Sequence, residues 1–137
     1  MMYPTTLSVT AKVDMQDPLT GFVSHKLMPG ARLHLGDQSY EHRFTYSGEK
    51  HRFTVTANLD TGQHRARLEF IEDHTVLQGA IEVLDVHVQG TPLGLEMYQC
   101  EYLQWETGET IKSNMYLGRP GAWSILLRVP VGDVGFV

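Results

Sequence analysis

The chain has 137 residues, of which 42% are hydrophobic and 20% are charged, and its formal net charge is −5 at pH 7. This length predicts one domain with a self-supporting core, and the composition excludes a disordered, collagen-like or coiled-coil chain. A single cysteine, Cys100, excludes an intramolecular disulfide. Because we also find no secretory signal and no segment long enough to cross a bilayer, we expect a cytoplasmic protein that does not enter membranes.

Turn residues recur about every ten positions, and β-branched and aromatic residues fill the intervals, which is typical of antiparallel β-proteins. The first strand is predicted at residues 7–13, where apolar and polar side chains alternate. Residues 22–27 and 31–35 are weaker strand candidates. No segment shows a helical period with capping residues.

The clearest alternation covers residues 38–71, where polar turns at 47–50 and 60–63 separate three segments. If each turn closes a hairpin, the three strands form an antiparallel meander with one buried face and one solvated face. A slip of one residue would exchange the faces, so the pattern predicts the register. On the solvated face, Arg43, Thr54 and Glu69 would line up across the three strands. The predicted buried face consists of Phe44, Tyr46, Phe53, Val55, Ala57, Leu59, Ala66, Leu68 and Phe70.

The remaining strands are predicted at residues 76–88, 95–106, 109–117 and 123–129. The apolar positions change parity near Val83 and Leu84, which indicates a bulge or a strand covered on both sides. A turn at Thr107 and Gly108 would join 95–106 to 109–117 and place Tyr102 opposite Ser113. With about eight or nine strands, we predict an all-β, single-domain antiparallel sandwich, with a closed barrel as the alternative.

Seven histidines raise the question of a metal site. In the predicted meander His42 lies opposite Val55, so at about 3.3 Å per residue it would be about 13 Å from His51, too far to share an ion. No HxH, HExxH or CxxC spacing is present. The acids Asp14, Asp17, Glu72 and Asp73 could offer oxygens to calcium, but we interpret them as solvated loop residues. We therefore predict no metal and no cofactor.

The sequence contains no nucleophile elbow, phosphate-binding loop or dinucleotide fingerprint. The one thiol, Cys100, is predicted to lie between Tyr98 and Tyr102 on an apolar face, where a free cysteine packs as a small hydrophobic residue. These observations favour a protein that is not an enzyme.

The charge is unevenly distributed, because residues 68–111 hold nine acids and no Lys or Arg, whereas residues 31–67 hold six Lys or Arg and four acids. Such an asymmetry predicts a protein-binding module, such as an inhibitor, an immunity-type protein or an assembly protein, that uses an acidic surface against a basic partner. The predicted binding residues are Glu82, Glu96, Glu101, Glu106, Tyr98, Tyr102 and Trp105.

The alternative is a small barrel that binds an apolar small molecule, as a carrier or as an isomerase or cyclase. Its cavity would be lined by Tyr98, Tyr102, Trp105, Tyr116 and Trp123, which would fill the core in a sandwich. The negative net charge disfavours nucleic acid as a partner, and open sheet edges are compatible with a homo-oligomer.

Overall fold

The computed structural model describes residues 2–16, 28–71, 78–93, 99–118 and 121–130. Within these ranges the regular structure is almost entirely β-strand. The strands are β1 (Met2–Gln16), β2 (Gly30–Leu35), β3 (Gln38–Arg43), β4 (Lys50–Asp60), β5 (Gly62–Ile71), β6 (Gln78–Val88), β7 (Thr91–Pro92), β8 (Glu101–Gln104), β9 (Thr110–Lys112), β10 (Tyr116–Leu117) and β11 (Gly121–Val129). None of these residues belongs to a helix that is long and apolar enough to span a membrane.

The strands form two antiparallel sheets that pack against each other. Sheet 1 has the order β10-β6-β1-β4, with β7 paired to β6, and sheet 2 has the order β3-β2-β5-β11-β8-β9. The two sheets enclose the core, whose largest buried side chains include Trp123, Tyr102, Phe44, Phe53 and Phe70. The predicted antiparallel sandwich is confirmed, and the alternative of a closed barrel is wrong because the two sheets do not join into one.

Strand β1 is the centre of sheet 1, paired on one side with β4 from Met2 to Lys12 and on the other side with β6. The β1–β6 register shifts between Thr10 and Ala11, where Thr10 faces Asp85 and Ala11 faces Val83. Leu84 is therefore left without a partner residue on β1. This irregularity is the predicted bulge at Val83 and Leu84, and it explains the change of parity in the sequence.

The predicted meander of residues 38–71 is wrong in its strand neighbours. Strands β3 and β5 lie in sheet 2, whereas β4 lies in sheet 1 and pairs with β1. The buried face predicted from the alternation is confirmed on β4 and β5, where the apolar residues are buried. Both sheets of a sandwich turn one face to the same core, so alternation identifies that face without revealing which sheet a strand joins. Consequently Arg43, Thr54 and Glu69 do not line up on one surface, and Tyr46 is exposed.

The hairpin near Thr107 and Gly108 exists as β8–β9, with a longer loop than predicted. Tyr102 pairs with Ile111 instead of Ser113, and the N–H of Gly108 donates to the carbonyl of Gln104. After β9 the chain crosses to sheet 1, where Tyr116 of β10 pairs with Glu82. Residues 109–117, predicted as one continuous strand, are therefore divided between β9 of sheet 2 and β10 of sheet 1.

Close packing between β11 and β8 depends on Gly121. A Cβ atom at this position would lie 2.2 Å from the carbonyl oxygen of Leu103. Cys100 is buried, as predicted for a core residue, and burial raises the pKa of its thiol. The thiol therefore stays protonated at neutral pH, where it is a poor nucleophile.

Candidate functional site

The edge strands β3 and β4 face each other across one lateral opening of the sandwich, because β3 ends sheet 2 and β4 ends sheet 1. Residues 44–49 carry the chain from one sheet to the other at this opening. We call the group formed by Tyr40, His42, Glu49 and His51 the β3–β4 seam. Alternation on β3 places Tyr40 and His42 on the same side as Phe44, and alternation on β4 places His51 on the same side as Phe53.

The rings of the β3–β4 seam stack on one another. The centroids of His42 and His51 are 3.6 Å apart with an interplanar angle of 6°, and those of Tyr40 and His51 are 5.7 Å apart at 14°. The hydroxyl of Tyr40 is 2.9 Å from Nε2 of His51. Beneath the stack, Phe53 meets the His51 ring edge to face at 5.0 Å. The seam thus covers the apolar core with polar aromatic rings.

The carboxylate of Glu49 is held in place from both sides. Nε2–H of His42 donates to Oε2 at 2.7 Å, while the N–H and hydroxyl of Thr45 reach Oε1 at 2.7 and 3.0 Å. The main chain of this segment is hydrogen-bonded to β1, because Gly48 N–H donates to Val13 and Val13 N–H donates to Glu49. Gly48 has a φ of 94°, a conformation that favours glycine. Glu49 is thereby placed with its side chain 11% exposed.

Two groups of the seam have displaced pKa values. Burial works to raise the pKa of Glu49, but hydrogen bonds from Thr45 and His42 outweigh it and hold the pKa below its usual range. Burial, followed by the charge of His42, lowers the pKa of His51, and Glu49 opposes this shift. At neutral pH Glu49 is therefore an anion and His51 is neutral, with a lone pair on one of its two ring nitrogens.

The donor atoms of His42, Glu49 and His51 all lie within 4.8 Å of one another. In the described part of the chain this is the one such group of three or more His, Cys, Asp or Glu side chains. The prediction that His42 and His51 are too far apart to share an ion is wrong. It placed β3 and β4 side by side in one sheet, whereas the two strands face each other from different sheets. In the sequence His42 and His51 each precede a phenylalanine of the predicted buried face, Phe44 and Phe53, by two residues, and this shared parity is the sequence signal for their proximity.

The predicted binding residues are divided among several regions. Glu82 lies on β6 of sheet 1, while Glu101 lies on β8 of sheet 2, 3.9 Å from Arg65 and 4.0 Å from Lys112. Trp105 and Glu106 are exposed together in the β8–β9 loop. Tyr102 is buried in the core, as is Trp123 of the predicted cavity set, whereas Tyr116 is exposed on β10. Glu96 and Tyr98 lie outside the described residues.

The acidic half of the sequence does not form one acidic surface among the described residues. Glu82 and Glu101 belong to opposite sheets, and Glu69 of β5 interacts with His34 of β2. Of the acids considered for calcium, Asp14 lies on β1, 3.8 Å from the ammonium of Lys12. Asp17, Glu72 and Asp73 lie outside the described residues. The acids on β5, β6 and β8 are separated because β6 lies in sheet 1, whereas β5 and β8 lie in sheet 2.

No protein-family model and no curated protein matches this chain. Solved structures that resemble its fold include the two described next. One, described as vCBM60 in complex with galactobiose, is 14% identical, with a TM-score of 0.52 over 88% of this chain and 96% of that chain. The other is a selenomethionine form of vCBM60, described in a study linking two families of calcium-dependent carbohydrate-binding modules. It is 17% identical, with a TM-score of 0.56 over 88% of this chain and 89% of that chain.

These likenesses establish the β-sandwich fold and correct the functional predictions. The matched structures are carbohydrate-binding modules, so the protein-binding module with an acidic surface and a basic protein partner is the wrong class. The alternative, a barrel around an apolar ligand, is wrong for the same reason and because the sheets do not close. Charge order along a chain does not reproduce the charge layout on a sandwich surface.

The β3–β4 seam does not fit the calcium named for the second matched structure. Ca²⁺ takes six to eight oxygen ligands, whereas the seam offers two imidazole nitrogens and one carboxylate. Imidazole with carboxylate is instead the donor set of zinc and related transition metals.

Proposed function

We propose that this chain is a carbohydrate-binding domain whose ligand is a neutral oligosaccharide bound at the β3–β4 seam. The supporting observation is the fold shared with two carbohydrate-binding modules over 88% of the chain. One of those modules is described in complex with galactobiose, so a disaccharide of galactose is the first ligand to test.

The chemistry of the seam supports this location. A sugar ring presents C–H groups on its faces and hydroxyl groups at its rim, so its binding site combines aromatic faces with hydrogen-bonding groups. Tyr40 is 38% exposed within the seam, and Tyr46 is 60% exposed on the adjoining segment that carries Glu49. The partly exposed imidazoles of His42 and His51 supply polar atoms between them.

Affinity electrophoresis in gels that contain galactan, followed by calorimetric titration with galactobiose, tests the proposal. We expect galactan to retard the wild-type protein. Tyr40→Ala and Tyr46→Ala should each weaken binding about tenfold or more, which corresponds to about 1.4 kcal/mol. Tyr116→Ala is the matched control, because Tyr116 is 54% exposed on the edge strand β10 away from the seam.

Two results would overturn different parts of the proposal. Failure to bind galactan, galactobiose and a panel of other neutral polysaccharides would exclude carbohydrate binding. Binding that is lost in Tyr116→Ala and retained in both Tyr40→Ala and Tyr46→Ala would exclude the seam as its location. Thermal melting of each variant establishes that the fold is intact.

A further inference from the structure

We propose that His42, Glu49 and His51 form a binding site for a divalent transition-metal ion of the zinc class. The ion would use one nitrogen from each imidazole and an oxygen from the carboxylate. This inference stands on the seam geometry and does not depend on the carbohydrate proposal.

The three donors are close to the spacing that one ion requires. Zinc–nitrogen and zinc–oxygen bonds of about 2.0–2.2 Å place two ligands of a tetrahedral ion about 3.4 Å apart. The donor atoms lie within 4.8 Å of one another, and His42 Nε2 is 2.7 Å from Glu49 Oε2. An ion between His42 and Glu49 would replace the hydrogen bond between them, and the N–H of His42 would then be on Nδ1.

Coordination by both histidines requires their stacked rings to turn. The lone pairs of imidazoles lie in the ring planes, and planes only 6° apart do not converge on one point by themselves. Both rings are partly exposed at the edge of the sandwich, so they can rotate without opening the core. Glu49 needs no such rearrangement, because the hydrogen bonds from Thr45 orient its carboxylate.

Tyr40 is placed to form the hydrogen bond that metal-binding histidines commonly make through their second ring nitrogen. A ligating imidazole usually donates its second N–H to an oxygen, which selects the tautomer and orients the ring. The Tyr40 hydroxyl lies 2.9 Å from His51 Nε2. When Nε2–H donates to this hydroxyl, the lone pair of His51 is on Nδ1 and is available to the ion. Tyr40 is therefore a positioning residue for His51.

The donor set also determines which ions are accepted. Two imidazoles and one carboxylate suit Zn²⁺, Co²⁺, Ni²⁺ or Cu²⁺, whereas Ca²⁺ needs more oxygen atoms. Three protein ligands at a partly exposed edge leave a coordination position for water.

Calorimetric titration of untagged, chelator-treated full-length chain with Zn²⁺, and separately with Ca²⁺, tests the site without any sugar present. We expect one equivalent of Zn²⁺ to bind and Ca²⁺ not to bind at this site. His42→Ala and His51→Ala should each weaken Zn²⁺ binding by at least about 100-fold. This exceeds the loss of about 10–100-fold that is expected when a residue that only hydrogen-bonds to a ligand is removed. His64→Ala is the matched control, because His64 contacts the Asp60 carbonyl outside the cluster.

Tyr40→Phe separates a positioning role from simple packing. It keeps the stacked ring and removes the hydroxyl, so we expect Zn²⁺ affinity to fall about 10–100-fold with little change in thermal stability. Co²⁺ provides a spectroscopic readout, because its visible absorption changes when the nitrogen ligands are lost.

The absence of Zn²⁺ binding, or binding that both histidine variants retain at wild-type affinity, would overturn the proposal. Because Glu49→Ala removes partners of Thr45 as well as a ligand, Glu49→Gln is the second variant for that position. It should lose Zn²⁺ affinity while melting near the wild-type temperature. A negative metal titration leaves the sugar titrations unaffected, so failures of the two proposals are distinguishable.

Discussion

The chain closes the sandwich differently at its two lateral edges. At the β3–β4 seam, residues 44–49 cross between the sheets, and the opening is covered by stacked polar rings and a carboxylate. At the opposite edge residues 113–115 make the crossing, and we call this region the β8–β10 seam. There Ser113 N–H donates to Cys100, and Met115 accepts from Val83 N–H. Main-chain hydrogen bonds and apolar side chains close this second opening.

The β3–β4 seam stabilises a deprotonated carboxylate, Glu49, whereas the β8–β10 seam stabilises a protonated thiol, Cys100. Hydrogen bonds lower the pKa of Glu49 against the effect of burial, whereas burial raises the pKa of Cys100. The first seam therefore keeps an anion beside two imidazoles, and the second keeps a neutral thiol in the core. Both arrangements cover apolar residues, and the β3–β4 seam holds the donor atoms of the proposed metal site.

If the β8–β10 side is structural, its core substitutions should have the largest effect on stability. Trp123 is fully buried and pairs with Tyr102 across β11 and β8. We expect Trp123→Ala to lower the free energy of unfolding by about 3–5 kcal/mol, measured by urea denaturation. Trp105→Ala is the control, because Trp105 is 49% exposed and its loss should change stability by less than about 0.5 kcal/mol. Similar effects of the two substitutions would contradict the assignment of Trp123 to the core.

Substitution of Glu49 in the β3–β4 seam should have an intermediate effect on the free energy of unfolding, because the substitution removes hydrogen bonds. Glu49→Ala leaves the N–H of Thr45 without its acceptor, and we expect a loss of about 1–3 kcal/mol in urea denaturation. Glu49→Gln keeps an acceptor oxygen and should lose less. Equal losses in the two variants would show that charge, and not the hydrogen bond to Thr45, determines the contribution of Glu49.

Acid should weaken the β3–β4 seam. The folded pKa of His51 lies below its ordinary value of 6.5, so the unfolded chain binds a proton first and stability falls as the pH drops through that value. The folded pKa of Glu49 lies below 4.5, which adds a second loss as the pH falls further towards that folded pKa. Melting temperatures measured from pH 7 to pH 4 should decrease, and His51→Gln should remove the part of the decrease near pH 6.5. A pH dependence identical to wild type in His51→Gln would contradict this origin.

High pH should lower thermal stability through Cys100 at the β8–β10 seam, and this is the smallest of the expected effects. Because the folded pKa of Cys100 is raised above its ordinary value of 9.0, the thiol contributes stability below that pH and loses it as the pH rises towards the folded value. Melting temperatures between pH 8 and pH 10 should therefore fall less steeply in Cys100→Ala than in wild type. Identical slopes would show that the Cys100 thiol does not contribute to the alkaline loss.

Several features of the fold could be predicted from local patterns. The alternation in β4 and β5 identified their buried faces, and the parity change near Val83 and Leu84 marked the position of the bulge. Burial of Cys100 followed from its apolar neighbours on the same predicted face. These features depend on side-chain direction along one strand, which repeats every two residues.

The candidate site could not be predicted in the same way. His42 and His51 approach each other because β3 and β4 lie at facing edges of different sheets, and the local pattern is the same for strands that share a sheet. The acids of residues 68–111 raised the same difficulty, since those on the described strands are divided between β5 and β8 of sheet 2 and β6 of sheet 1.

By itself the sequence determined an antiparallel all-β domain, the buried face of its main strands and the position of its bulge, because each is set by the alternation of polar and apolar residues. The tertiary structure decided between a sandwich and a closed barrel, because its two sheets do not join into one. The tertiary structure alone decided which strands are neighbours, and with them the stack of Tyr40, His51 and His42 beside Glu49. That grouping depends on where the chain crosses between sheets at residues 44–49. A short polar segment of this kind is equally compatible with a hairpin turn and with a crossing.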